Sequence, residues 1–410
     1  LRIWDGGTLA LNNSLINTNG NEVAIFANGI LEVAGTQDLS GVLPDNSTTL
    51  RLSADSTIDD NATLSVGTLD LADFALTLDD QMAGLSIAQP VTLDAAGEQL
   101  VTGAADLTLH GGLSATAGTL SSTGGTLGLP GGATLATGAS FSTTNTTLNL
   151  GGSLAVADTW TITSTSVSLT DNASLSSTVP LSLANLQTND HNFQLASATS
   201  DLTITQGITI NYPGKGGLNS GEADLTLNGS VNVLYGGILS SGGIVTFGTG
   251  SSGASFSEEN SGMLLEDTTL VLQTALDLPY LELSGTSSFQ TNGNTLNLGV
   301  FVIGLQNELD LTNVVTNSES ELYLKANSAI TKTGDLVFKQ IGLNGYILTL
   351  NPAITGLTAK RIYIPEYDSN SPNYMANTGK LMAQGVDVTL KKQIYLQKGT
   401  IEMGGGTLTL

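Results

Sequence analysis

Cysteine is absent from the 410 residues, which excludes a disulfide framework and any thiolate metal site. Histidine occurs twice, at His110 and His191, and the chain has no GxSxG element, so a nucleophilic triad has no visible footing. Positive charge is scarce: 12 Lys and Arg stand against 36 Asp and Glu, a formal net charge of −24. Such a surface repels phosphate backbones and anionic lipid, which argues against a nucleic-acid partner and against docking on an acidic membrane. Charged residues make up only 12% of the chain, about half the usual share, and aromatics only 5%. No run approaches the roughly 18 apolar residues of a membrane span, so no membrane insertion is expected of this segment.

What fills the chain is Gly, Ser, Thr, Asn and Leu. A short x-L-x-L element recurs throughout, as in TLDL (68–71), DLTL (106–109), TLGL (126–129), TLNL (147–150), TLVL (269–272), TLNL (295–298) and ILTL (347–350). Alternation of Leu with Thr, Asp or Asn is a period of two, the mark of a short strand with one buried face. Asn-Gly pairs (Asn28-Gly29, Asn228-Gly229, Asn292-Gly293, Asn344-Gly345) and Gly-Gly pairs (Gly111-Gly112, Gly131-Gly132) separate the strands. These residues tolerate positive φ and mark tight turns. No stretch keeps helical spacing over three turns.

The elements repeat at intervals. Leu107, Leu127 and Leu148 lie about 20 residues apart, and Leu270, Leu296, Leu322 and Leu348 about 26 apart, with a second element near Leu281, Leu309, Leu336 and Ile362 midway. One such unit cannot bury its own Leu face, so units must stack. The expected fold is therefore all-β: a single-stranded parallel β-helix, right-handed by common habit. It would have about 18–19 coils of roughly 20–26 residues and a length of roughly 90 Å. A string of β-sandwiches would also use many short strands, but no linkers are evident.

The whole of 1–410 is expected to be one continuous solenoid, with plainer coils over 1–210 and projecting loops at 211–221, 248–262 and 365–380 in the remainder. All nine Tyr lie from Tyr212 onward and nine of the 12 basic residues from Lys325 onward. The pattern starts without an initiator Met and stops at GGGTLTL (404–410), as in a piece of a longer polypeptide. Open coil ends carry unpaired backbone groups, which would continue into the same polypeptide or associate with another copy.

The Leu-dyad, Gly/Asn-turn, Ser/Thr-rich texture, as in SGTSSFQTNGNTLNLG (284–299), resembles bacterial secreted β-helical surface proteins, namely autotransporter passenger domains and filamentous-haemagglutinin-like adhesins. The resemblance implies an extracellular, cell-surface stalk, adhesin or filament that contacts a surface glycan or a protein receptor. The alternative is a glycan-active β-helix, a polysaccharide lyase or depolymerase.

That alternative requires carboxylates and cations gathered on one face within a few coils. The adjacent acids Asp59-Asp60, Asp79-Asp80, Glu258-Glu259 and Glu266-Asp267 point to opposite faces if they lie in strands, and are expected to be solvated turn acids. The best cationic and aromatic cluster is Lys360, Arg361, Tyr363 and Tyr367 around IYIPEY, with Tyr374 just beyond; it offers a sugar-stacking surface. Neither an EF-hand loop nor an RTX nonapeptide is present, so no cofactor is expected beyond weak Ca2+ binding by Asp-bearing turns. Alternating Thr159, Thr161, Thr163 and Thr165 do not recur at one coil position, as an ice-binding face would need. The N-x-S/T tripeptides at Asn46, Asn61 and Asn172, the form of a glycosylation acceptor, are expected by chance in an Asn/Ser/Thr-rich chain.

Overall fold

The computed structural model describes residues 1–410 apart from 5, 13, 15, 17–20, 61, 158, 197–198, 215, 258–260, 365–378 and 396–398. The chain is a β-solenoid of about 18 turns, 60% strand with almost no helix. Two compact units, Leu1–Thr205 and Gln206–Leu410, are both built from it. The strand pairings among the described residues are parallel, as coil-on-coil stacking requires.

In the first unit the x-L-x-L elements form the rungs. Leu64, Leu85, Leu107, Leu127, Leu148, Val167 and Leu186 stack in register. By subtraction of those positions each step is 19 to 22 residues. Each coil has three short sides. One runs Asp106–Leu109, Leu113–Ala115 and Thr119–Ser122, and the next Thr126–Leu129, Ala133–Leu135 and Ser140–Thr144. The alternation works as the residue types dictate: in Asp106–Leu109 both Leu are buried, Asp106 is exposed and Thr108 half-buried. A third-side ladder, Leu76, Leu100, Leu120, Phe141 and Trp160, carries the two largest rings against each other, with centroids 5.0 Å apart.

The second unit has a longer ladder. Leu218, Ile238, Met263, Leu281, Phe301, Leu322, Ile341, Ile362 and Ile394 are stacked on one side. Leu218 belongs to the strand Gly217–Asn219, so this part of the turn-rich stretch 211–221 is a rung and not an outgrowth. Ser255–Phe256, within 248–262, likewise pairs with Asn232 and Val233. Of the stretch 365–380, only residues 379 and 380 are described.

The 26-residue series is not one ladder. Leu270 stacks between Val245 and Phe289, Leu296 between Leu276 and Val314, Leu322 between Phe301 and Ile341, and Leu348 between Ser328 and Leu381. A step of 26 advances by one coil and one further side, and Leu occupies all three sides.

Polar side chains fasten coil to coil. At the corners a buried hydroxyl donates to a carbonyl one coil back: Thr48 to Ile25, Thr146 to Ser122, Thr165 to Thr143 and Thr199 to Leu175 in the first unit. Ser251 to Leu227, Ser287 to Leu265 and Ser320 to Leu298 repeat the bond in the second. Each adds a coil-to-coil bond to a backbone oxygen at a corner, and the Leu175 and Leu227 oxygens also accept the N–H of Ala196 and Gly248. Carboxylates act similarly from outside. Asp55, Asp106, Asp224 and Asp387 accept the backbone N–H of Ala75, Thr126, Ile244 and Thr407, each in the following coil.

The adjacent acids are accordingly not simply solvated. Asp60 is buried and accepts the Ala62 N–H. Asp79 caps its own turn through Gln81 N–H, while Asp80 accepts Ala104 N–H from the next coil. Asp267 accepts both the N–H and the hydroxyl of Thr286. Glu258-Glu259 lies outside the described residues.

Candidate functional site

Outward positions on the long-ladder side of the second unit depart from the Thr/Ser/Asn norm. One outward column runs Glu282, Val302, Tyr323, Gly342, Tyr363 and Tyr395. Its neighbour two residues away runs Tyr280, Val300, Glu321, Gln340, Arg361 and Gln393. Period-two alternation turns both columns outward, with Leu281 through Ile394 behind them, although Val302 and Gly342 are themselves covered.

Tyrosine and its partner share a strand here. Tyr280 donates its hydroxyl to Glu282 (2.8 Å), Tyr323 to Glu321 (2.7 Å) and Tyr395 to Gln393 (2.8 Å). Burial and then the bond to a carboxylate push the Tyr280 and Tyr323 hydroxyls far above the ordinary phenol range. Partial burial pushes Glu321 up, but the hydrogen bonds from Lys339 and Tyr323 and the Lys339 charge outweigh it, and the net shift is downward. Lys339 sits 2.7 Å from Glu321, and Gln340 donates to the Tyr323 oxygen at 2.7 Å. Glu282 holds Lys325, and Glu319 holds Lys360 at 2.9 Å.

Gly342 interrupts the tyrosine column. Its φ is not positive, so the backbone does not call for glycine. The space above it does: a Cβ would stand 2.7 Å from Cδ1 and 3.0 Å from Cε1 of Tyr323, whose ring leans over it. The result is a cleft of about 380 Å³ lined by Tyr323, Gln340, Gly342, Asn344, Arg361 and Tyr363, together with Glu321 and Lys339. That volume lies within the roughly 300–1,000 Å³ of small-molecule sites. Tyr363 is backed by Tyr395, with ring centroids 4.8 Å apart and planes 4° from parallel, so it presents a supported face. The Asn344 side chain is turned to the Leu324 carbonyl, and no ion pair or hydrogen bond engages the Arg361 guanidinium among the described residues.

Of the residues singled out in the sequence, Arg361 and Tyr363 line this cleft. Lys360 is directed to Glu319. Tyr367 and Tyr374 lie outside the described residues. Glu321, Tyr323, Lys339, Gln340 and Gly342 were not marked by sequence reasoning. Their signal is present in the strings ELYL (321–324), KQIG (339–342) and RIYI (361–364), once these are aligned on Leu322, Ile341 and Ile362. Among the described residues no three His, Asp or Glu side chains gather as a cation site, and no helix is long and apolar enough to cross a membrane. No protein-family model, curated protein or solved structure matches the chain.

Proposed function

We propose that the chain is a segment of an extracellular structural or adhesive protein at a bacterial cell surface, a stacked β-solenoid that presents a glycan- or receptor-binding face. The observation that carries this reading is the cleft over Gly342, where tyrosine, glutamate, amide and guanidinium groups are gathered on one face. Aromatic faces with nearby amides and charges suit sugar recognition, since a sugar has one apolar face and a polar rim. Adhesion of the purified chain to bacterial or host-cell surfaces tests the reading. Tyr363→Ala with Tyr395→Ala should reduce retention several-fold with the far-UV spectrum unchanged; full retention by that double variant contradicts it.

The glycan-cutting alternative has one observation in its favour: carboxylates and cations do gather on this face within a few coils. The state of those groups favours binding over cutting. Glu282, Glu319 and Glu321 each hold a lysine. Tyr323 is pushed away from the range a general base needs near neutral pH. Incubation with acidic and neutral polysaccharides should release no unsaturated or reducing ends; steady turnover abolished by Arg361→Gln would establish the enzyme instead.

A further inference from the structure

We propose that the cleft over Gly342 is a subsite for a carboxylate-bearing sugar of an acidic polysaccharide, a polyuronate in chemical class. This rests on the glycan-binding reading above and gives it a substrate class. Three observations converge.

The first is charge. In a chain of formal net charge −24 this corner is cationic. Lys339 lies in Gly334–Gly342, Lys360 and Arg361 in Ile354–Tyr363, and Lys391 and Lys392 in Asp387–Tyr395, in three successive coils. Between the pairs Ala359–Leu390 and Arg361–Gln393 the register shifts, so a bulge sets both Lys391 and Lys392 opposite Lys360. Asp335 and Asp387 stand at the far ends of their strands, and Glu319 and Glu321 compensate Lys360 and Lys339. Arg361, Lys391 and Lys392 carry no ion pair among the described residues. Like charges stacked about 4.8 Å apart repel, a cost that an anionic partner lying along the coils removes.

The second is shape. Gly342 leaves a gap in a column whose neighbours in register are Tyr323 and Tyr363, and the backbone there would accept another residue. The Tyr323 ring leans over Gly342 and Tyr363 lines the other side, so the cleft of about 380 Å³ has an aromatic side chain at each end. The third is the guanidinium. Arg361 lines the cleft with no ion pair or hydrogen bond to its guanidinium among the described residues, and its planar fork suits a carboxylate through two parallel hydrogen bonds. A sugar ring held against Tyr363 with its carboxylate on Arg361 uses all three features, and the next uronates of the chain meet the lysine corner.

The test uses the full chain and titration calorimetry with four probes: an oligogalacturonate, a neutral oligoglucan, polyglutamate, and a second copy of the protein by self-dilution. The expected result is binding of the oligogalacturonate alone, weakening steeply with added salt. Arg361→Gln and Gly342→Val should each weaken it at least about tenfold. Arg51→Gln, which makes the same charge change in the other unit, should leave it within about twofold. Equal affinity for polyglutamate would reduce the site to bulk charge and overturn the sugar subsite. Binding of the neutral glucan that survives Arg361→Gln but not Tyr363→Ala would overturn the anionic specificity while leaving the glycan-binding reading standing. Self-association lost in Arg361→Gln would assign the corner to a second copy and overturn the proposal. Failure of every probe to bind would overturn it together with the glycan form of the adhesive reading.

Discussion

Individual side chains in this solenoid have one of three duties: to fill the interior, to fasten one coil to the next, or to face outward. Leu322 is an interior case, 1% exposed between Phe301 and Ile341. Leu322→Ala removes buried apolar surface and leaves a cavity that flanking coils close only in part. It should cost about 2–5 kcal/mol by urea unfolding; a loss near zero would mean the rung is not packed. Ser320 is a fastener, fully buried and donating to the Leu298 carbonyl at 2.6 Å while accepting the Asn317 N–H. Ser320→Ala strands that carbonyl and should cost about 1–3 kcal/mol, against about 0.5 or less for an exposed serine. Glu321 sets a pH dependence. Its folded pKa is depressed below 4.5, so its contribution is present above the unfolded value and is lost as pH falls through the folded one. Its side chain is 19% exposed and that of Lys339 44%, so the pair is worth roughly 1 kcal/mol or less. Glu321→Gln should therefore lower the urea midpoint near neutral pH, with the difference from the native protein shrinking as pH falls through and below the ordinary carboxylate range; an offset that does not change with pH would contradict this.

At the scale of strands and turns, legibility followed register. The x-L-x-L dyads are explicit in the sequence because period two is local. Leu107, Leu127 and Leu148 were aligned correctly because no insertion intervenes. Leu270, Leu296, Leu322 and Leu348 were not, because leucine occupies every side and a step of one coil plus one side again lands on leucine. That misalignment hid the cleft. Arg361 and Tyr363 stood out as rare residue types, but Tyr323 and Gly342 become their neighbours only when Leu322 is set beside Ile341 and not beside Leu348. The buried hydroxyls were equally invisible, since Ser and Thr at a corner look in sequence like those on the surface. Turns carry their own test. Asn344 holds φ 47 before Gly345 at φ 84 and donates its side-chain amide to the Leu324 carbonyl. Asn344→Val places a β-branched residue in that left-handed conformation and loses the bond. It should cost about 2 kcal/mol or more, whereas Asn344→Gly should cost less than half of that.

Across the whole chain the sparing use of charge and aromatic residues makes sense as solenoid economy. Leucine fills most interior positions on all three sides, with single rings such as Phe141, Phe193, Phe247, Phe301 and Phe338 fully buried among them, so few positions need charge. The central claim is that equivalent residues about 20 positions apart lie directly above one another in parallel register. The absence of native cysteine makes this testable by cross-linking. Ser114 and Thr134 are exposed register partners, and Ala155 is the partner of Thr134 one coil further on. Mild oxidation of Ser114→Cys/Thr134→Cys should close a disulfide in the folded protein, since neighbouring coils are about 4.8 Å apart. Ser114→Cys/Ala155→Cys, two coils apart and beyond the roughly 7 Å reach of the bond, should stay reduced. Closure of the second pair and not the first would contradict coil-on-coil stacking and the account built on it.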